Sequence, residues 1–288
     1  MSRLRLCDFC GNSFPISEAR CPHCGRPGLF PNVYAAEDAD EHAALERRYL
    51  SAKQSARSSG SGDVFDQFEN AATNSQAVIA RPAGELQRLA TSDRELYATF
   101  YQLRDAGVRL PAGEKWDTLR AVADEMLFSG YKEQIRFAAL SLDGVGLINY
   151  GDCSITLRAE MIAHRASVFE ENSVLFMDHH DIMARDAHRL PQGHRATWDG
   201  RGKLCALKLA AQFKPETTAD EFPQLLLRQG ASSEDDDFVE VHIWGPMTIR
   251  SIKRAVFTLP RRQRTLRGVI DKANRRRLEK FGVEVQVR

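Results

Sequence analysis

Four cysteines near the start of the chain constrain its folding more than any other feature of the sequence. Cys7 and Cys10 form one Cys-x2-Cys pair, and Cys21 and Cys24 form a second pair ten residues later. Two thiolates in one tight turn can face a common ion, and two such turns supply the closed tetrahedral set of structural zinc. Because intracellular thiols rarely form disulfides, we predict a zinc ribbon over residues 1–33 that folds only with its metal.

The composition is that of a globular chain. Hydrophobic residues make up 43% and charged residues 27% of the 288 residues, which excludes wholesale disorder. No apolar run approaches the roughly 18 residues of a membrane-spanning helix, and no apolar segment follows Met1. We therefore expect a cytoplasmic protein with no membrane partner, built as one large domain or two smaller ones.

Local sequence patterns divide the chain into four segments. After the ribbon, residues 34–84 are predicted to form a polar helix and a flexible linker, with the Ser/Gly-rich stretch 55–62 as the linker. Residues 85–133 are predicted to be helical, and residues 134–288 carry the remaining strands and short helices. In the helical region, a capping box formed by Ser92 and Glu95 is expected to begin one helix, which would end at Gly107, and an apolar stripe at 116–127 predicts the next.

The last segment predicts an α+β fold rather than a doubly wound parallel sheet, because short strands mix with short helices. The predicted strands are 135–142, 153–158, 165–169, 238–244 and 283–287. The predicted helices are 159–164, 203–213, 218–228, one from Pro246 through Phe257, and a basic helix over 264–281.

The strand at 238–244 places Phe238, Glu240, His242 and Trp244 on one face. An ionisable side chain among such apolar neighbours is partly desolvated, so it needs a partner or a chemical purpose. The alternative is an edge strand whose polar face is exposed to water.

The pattern aromatic-x-Glu-x-His-x-x-Gly-Pro in this strand resembles the last active-site strand of the ADP-ribosyltransferase superfamily. With 135–143 as a first strand and 165–173 as a middle block, the resemblance covers about 135–257. It is similar to the divergent toxin-like members found in bacterial toxin–antitoxin and phage-defence loci.

The resemblance implies an enzyme that cleaves NAD at the nicotinamide bond and transfers ADP-ribose to a macromolecule. Glu240 would then be the carboxylate that stabilises the oxocarbenium-like ribose, and His242 would contact the acceptor or the leaving group. The resemblance also implies that Arg136 holds the dinucleotide and that Ser167, or Tyr150 in its place, shapes the nicotinamide pocket. A neutralising antitoxin protein is implied in the same way.

The charge distribution bears on the acceptor. Residues 250–288 contain 13 Lys or Arg and 3 Asp or Glu, a net charge of +10, while the whole chain carries only +1. A row of arginines on a helix can follow a phosphate backbone, although a solvated helix face has the same composition. The ribbon and this basic end together favour nucleic acid, RNA ahead of protein, as the acceptor.

Two other functions remain open from the sequence. The first is a non-enzymatic nucleic-acid-binding protein that uses the zinc ribbon and the basic end. The second is a metal-dependent hydrolase built on His179, His180 and Asp181, in a stretch to 194 that holds half of the eight histidines.

Overall fold

The described part of the chain folds as a mixed α/β structure around one eight-stranded sheet. The structure is a computed structural model that describes residues 4–7, 9–99, 101–102, 114–182, 190–258 and 272–288. Within these residues the helices are α1 (Pro31–Ala36), α2 (Ala39–Ser58), α3 (Gly62–Thr73), α4 (Ala83–Leu89), α5 (Glu114–Leu127), α6 (Ala159–Ile162), α7 (Ser173–His179), α8 (Arg201–Leu209), α9 (Phe222–Leu226) and α10 (Lys272–Lys280). The strands are β1 (Leu4–Leu6), β2 (Ser13–Pro15), β3 (Gln76–Arg81), β4 (Ile135–Ser141), β5 (Cys153–Leu157), β6 (Ala166–Phe169), β7 (Arg195–Thr197), β8 (Leu227–Arg228), β9 (Asp237–Phe238), β10 (Glu240–Trp244), β11 (Ile252–Phe257) and β12 (Glu284–Val287).

The order across the large sheet is β12-β11-β5-β3-β4-β10-β6-β7. Neighbouring strands run antiparallel except β11 and β12, which pair in parallel. The expectation of mixed strands and helices instead of a doubly wound parallel sheet is confirmed. None of the helices in the described ranges has both the length and the apolar character needed to cross a membrane.

The two faces of the sheet are covered by different helices. Successive side chains of a strand alternate between faces, so Val241 and Ile243 of β10 join the main core with α2, α3 and α8. Glu240 and His242 point to the opposite face, where α5 and α7 form a second, smaller cluster with β4 and β6. This second layer is what surrounds the candidate catalytic residues.

Helices α3 and α8 cross closely because α8 carries Gly202 at the contact. A Cβ at this position would lie 2.1 Å from Thr73 Oγ1 and 2.8 Å from the Glu69 carbonyl oxygen. We expect Gly202→Ala to push the helices apart and to lower the free energy of unfolding by about 1–3 kcal/mol, measured by urea denaturation. Gly84→Ala in α4 is the matched control, since nothing lies within 4 Å of its added Cβ. Equal stability of the two variants would contradict the close crossing.

The Ser/Gly-rich stretch at 55–62 is not the flexible linker that its composition predicts. Helix α2 continues through Ser58 and α3 begins at Gly62, so only a short turn separates them. Ser61 in this turn is fully buried, and its hydroxyl donates to the Ala56 carbonyl at 3.2 Å. Serine hydroxyls can satisfy backbone groups at a helix end, which composition alone does not reveal. The same predicted segment also contains β3, a central strand of the sheet.

The helix predicted to begin at Ser92 does not start there, and among its described residues only 101 and 102 are helical. Residues 94–99 form no helix, and Leu96, expected on its apolar stripe, is 48% exposed. Glu95 does not complete a capping box but pairs with Arg88 of α4 at 2.7 Å. A tertiary partner has replaced the local cap, and the predicted end at Gly107 lies outside the described residues.

The helix predicted from Pro246 through Phe257 is also wrong. A 3₁₀ turn at Ile249–Ser251 is followed by β11, which pairs with β5 on one side and β12 on the other. Its β-branched and aromatic residues favour a strand, and Ile252, Ala255 and Phe257 join the main core. Likewise the helix predicted over 218–228 ends early, because its last two residues form β8.

The other predicted elements in the described ranges are confirmed. The five predicted strands correspond to β4, β5, β6, β10 and β12, and the stripe at 116–127 lies within α5. The helices predicted at 159–164 and 203–213 overlap α6 and α8, each extended by a 3₁₀ turn. Helix α10 accounts for part of the predicted basic helix, whose residues 264–271 lie outside the described ranges.

Candidate active site and metal centre

The four predicted metal ligands lie together at one end of the β1–β2 hairpin. Their sulfur atoms all fall within 4.8 Å of one another, with Cys7 Sγ 3.6 Å from Cys24 Sγ and Cys10 Sγ 3.7 Å from Cys21 Sγ. Zinc–sulfur bonds of about 2.3 Å in a tetrahedron separate the sulfurs by roughly 3.8 Å. The spacing therefore fits a tetrahedral metal ion such as zinc.

The chain folds into this cluster because each cysteine pair ends in a glycine with a left-handed backbone. Gly11 has φ +69° and Gly25 has φ +71°, a region that other residues rarely adopt. Their N–H groups donate to the carbonyl oxygens of Cys7 at 2.9 Å and Cys21 at 2.8 Å. Each turn thereby points both of its sulfurs to the same side.

Glu240 is the first residue of β10 and lies in the interior of the sheet, between β4 and β6. The alternative of a solvated edge strand is therefore wrong, and the side chain is only 2% exposed. Its Oε2 accepts a hydrogen bond from the Ser173 N–H at 3.1 Å and lies 3.0 Å from His242 Nε2. Its Oε1 accepts from Arg120 Nη2 at 3.2 Å. Both carboxylate oxygens are occupied by groups of the protein itself.

Arg120 of α5 connects Glu240 to a second buried carboxylate. Arg120 Nε lies 3.2 Å from Asp124 Oδ1, and the Tyr101 hydroxyl donates to Asp124 Oδ2 at 2.8 Å. Asp124 is fully buried. Sequence reasoning missed this chain of charges, although an acidic residue four positions after an arginine within an apolar stripe is a detectable signal.

Aromatic rings enclose His242 and the Arg120 guanidinium. The imidazole centroid lies 4.7 Å from that of Phe128, 5.6 Å from Phe137 and 5.8 Å from Phe169. The guanidinium carbon of Arg120 lies 3.9 Å from the Phe137 ring centroid, the geometry of a cation–π contact. The acidic group is therefore surrounded by rings that exclude water.

Glu240 remains ionised despite this burial. Burial alone raises the pKa of a carboxyl, but the Arg120 charge and the hydrogen bonds from His242 and the Ser173 N–H together lower the pKa of Glu240 to about 2. In Asp124 burial prevails and its pKa is raised, although Arg120 and Tyr101 oppose the change.

Of the other predicted site residues, Tyr150 lies near Glu240, Ser167 lies opposite His242, and Arg136 lies elsewhere. Tyr150 lies close enough for charge interactions with Arg120 and Glu240, and burial raises its pKa to about 12. Ser167 pairs with His242 across β6 and β10, but its hydroxyl accepts from Asn32 Nδ2 at 3.2 Å. The structure does not bring Arg136 to this group.

Arg136 pairs with Ile243 across β4 and β10, so its side chain lies on the opposite face of the sheet from Glu240. The face on which a strand residue lies depends on the register with its neighbour, and register is not visible in a single strand.

An open cavity of about 350 Å³ lies beside α7 rather than at the Glu240 carboxylate. It is lined by Glu170, Glu171, Asn172, Leu175, His179, Lys208, Arg228, Glu234, Asp235, Asp236 and Asp237. Several of these carboxylates are already paired, Glu170 with Arg48 at 2.6 Å and Asp237 with Lys208 at 2.5 Å. This cavity does not reach Glu240.

The histidine-rich stretch does not form a metal site within the described ranges. His179 Nδ1 lies 2.8 Å from Glu171 Oε2, and His194 Nδ1 lies 2.8 Å from Glu170 Oε2, so these histidines pair with separate carboxylates. Apart from the four cysteines, no three potential ligands converge among the residues that the structure describes. His188, a further member of this stretch, lies outside them.

Comparison with known proteins leaves the site unassigned. No protein-family model matches the sequence, and no curated protein matches it either.

Proposed function

We propose that the protein is an ADP-ribosyltransferase that uses Glu240 to cleave NAD and transfers ADP-ribose to a macromolecule. The observation that carries this proposal is a carboxylate kept ionised in a dry, aromatic environment, with a histidine bonded to it. Such a preorganised negative charge acts strongly on positive charge that develops nearby, because little water screens it.

The proposed reaction breaks the bond between the nicotinamide nitrogen and ribose C1′. Nicotinamide leaves with the bonding electron pair, and positive charge develops on the ribose ring. Glu240 stabilises this charge and orients the sugar by accepting a hydrogen bond from a ribose hydroxyl. The acceptor nucleophile then bonds to C1′ and loses a proton, and in this proposal His242, which would contact the acceptor, takes it up.

The proposed activity requires Arg120 to move away from Glu240. Its guanidinium is a planar cation that stacks on Phe137 and pairs with Glu240. It therefore occupies the place in which the positive charge of the substrate would be stabilised. In the proposed reaction Arg120 moves away as NAD enters, and the positive charge of the nicotinamide ribosyl group takes its place, so Glu240 keeps a cationic partner and stays ionised.

For the acceptor we propose nucleic acid, with RNA ahead of protein. Phe9 of the ribbon is 59% exposed, and the Arg26 guanidinium lies 4.6 Å from its ring centroid. An exposed ring beside a cation can stack on a base while the cation contacts phosphate. The exposed run Arg275–Arg277 of α10 adds basic charge. Because modification of RNA would harm the cell, the proposal includes a neutralising antitoxin protein.

The decisive experiment is transfer from NAD labelled in its adenylate half to total RNA, DNA or a cell lysate in separate reactions. We expect label in RNA with the wild-type protein and a loss of about 100-fold or more with Glu240→Gln, the size typical of losing one electrostatic contact to the transition state. The matched control is Glu284→Gln, which removes an exposed carboxylate from β12 of the same sheet. Equal labelling by the wild type and folded Glu240→Gln would overturn the proposal.

The exposed Phe9 and Arg26 also favour a second candidate, nucleic-acid binding without catalysis. This function predicts RNA binding that weakens steeply with salt and is unchanged in Glu240→Gln. Retention of that binding in Phe9→Ala with Arg26→Gln would exclude the ribbon as its site.

A further inference from the structure

Arg136 is a buried cation that has no counter-ion among the residues that the structure describes. It is 5% exposed, its Nη1 donates to the Gln134 carbonyl at 2.8 Å, and its buried Nε has no hydrogen-bond partner in the described part of the chain. Within the described ranges it forms no ion pair with a carboxylate. A buried charge of this kind is costly unless something neutralises it.

Arg165 brings a second guanidinium to the same end of the sheet. Its Nη1 donates to the carbonyl oxygens of Trp244 and, at 3.0 Å, Pro246, while its Nε donates to the Met161 carbonyl at 3.0 Å. Trp244 pairs with Ile135, the residue directly before Arg136, so the two side chains are neighbours. Arg165, too, forms no ion pair with a carboxylate in the described part of the chain.

Tyr97 completes the cluster. Its N–H donates to the Met247 carbonyl at 2.8 Å, which fixes it beside the same segment. Its buried hydroxyl interacts first with Arg81, which pairs with Glu85 at 3.4 Å, and it also lies within electrostatic range of Arg136. A hydroxyl and two guanidinium groups are all donors that an oxyanion can accept from.

Burial and a neighbouring like charge both make the Arg136 cation costly. Burial and the neighbouring Arg165 charge lower the pKa of Arg136 to about 10. Arg250, six residues after Trp244, differs from Arg136 and Arg165 because it pairs with a carboxylate, that of Asp93, at 2.7 Å. The contrast leaves Arg136 and Arg165 without a carboxylate partner among the residues that the structure describes, and such a pair can accept a negatively charged ligand.

We propose that Arg136, Arg165 and Tyr97 form a binding site for a phosphate group. Guanidinium donors match phosphate oxygens in geometry and retain their charge on binding. Because Arg136 lies on the face of the sheet opposite Glu240, this site is separate from the proposed NAD site and does not depend on the proposed function. Its ligand is a phosphomonoester or a backbone phosphate of nucleic acid, which share this chemistry.

Calorimetric titration of the full zinc-loaded chain with inorganic phosphate, at constant ionic strength in chloride, tests the site. We expect saturable binding that becomes about tenfold or more weaker in Arg165→Gln and in Arg136→Gln, since each removes charged hydrogen bonds. Arg250→Gln is the matched control and should bind like the wild type. Arg165→Gln, whose side chain is only partly buried, keeps the test valid if Arg136→Gln fails to fold.

Two further titrations distinguish the sources of phosphate. Adenosine monophosphate presents a monoester, and a short single-stranded oligonucleotide without terminal phosphates presents only diesters. Competition of either ligand with inorganic phosphate supports the site and identifies its class. Failure of the wild type to bind any of the three probes, or equal binding by wild type and Arg165→Gln, would overturn the proposal.

Discussion

Replacing Cys10 with serine is expected to abolish zinc binding and to unfold residues 4–28. The ribbon has very little apolar interior, since the buried cluster there consists of Cys7, Phe14 and Cys21, two of them metal ligands. Zinc contributes on the order of 10–16 kcal/mol of apparent free energy to the folding of small zinc domains, which is far more than such a cluster can supply. Metal content and limited trypsin digestion measure the two effects.

The wild type should contain one zinc per chain and resist cleavage after Arg5 and Arg20, whereas Cys10→Ser should contain none and be cleaved there. Cys205→Ala is the matched control, because Cys205 is buried in the main core and distant in sequence from the cluster. A Cys10→Ser protein that retained a full equivalent of zinc would show that the four sulfurs are not the site.

Arg120→Met is expected to be the most destabilising substitution in the interior. It leaves Glu240 and Asp124 buried together without a cation, and the loss of one partner of a buried ion pair typically lowers the free energy of unfolding by about 3–5 kcal/mol. Urea denaturation at pH 7 measures the loss. Arg250→Met removes an exposed partner of Asp93 and should change stability by about 1 kcal/mol or less.

The pH dependence of the stability shows whether the unpaired carboxylates cause the destabilisation of Arg120→Met. In the wild type the pKa of Glu240 is about 2, below its ordinary value of 4.5, so its contribution is complete above pH 4.5 and is lost as the pH falls towards 2. Without Arg120, burial raises the pKa of both carboxyls, and the folded variant then takes up protons more readily than the unfolded chain. Its stability should therefore rise more steeply between pH 7 and pH 5 than that of the wild type, in which Arg120 keeps Glu240 ionised and opposes the raised pKa of Asp124. A variant as stable as the wild type, or one without this trend, would contradict the network.

Local signals in the sequence were sufficient for those features that depend on a few neighbouring residues. The cysteine spacing predicted the sulfur cluster, and the alternation around Glu240 and His242 predicted a strand that presents both side chains to one face. The Ser92 capping box and the Pro246 helix start are equally local signals, but in these cases a tertiary contact or a sheet partner prevailed.

The environment of Glu240 could not be predicted, because its partners are distant along the chain. Arg120 precedes it by 120 residues, and Ser173 by 67. No periodicity connects such positions. The position of Arg136 was predicted wrongly for a different reason. Its strand was predicted correctly, but the register against β10 decides which face of the sheet Arg136 occupies.

The strand order also determines when the protein can acquire its central carboxylate during synthesis. β10 inserts between β4 and β6, both of which leave the ribosome much earlier, and until it arrives these two strands have unpaired edges facing one another across a gap. Pairing over such long sequence separations is slow, so a growing chain carries Glu240 in its folded setting only after residues 240–244 have been made and inserted. Nascent and truncated chains that stop before this strand are therefore expected to lack the site altogether and to expose sheet edges that chaperones or proteases recognise.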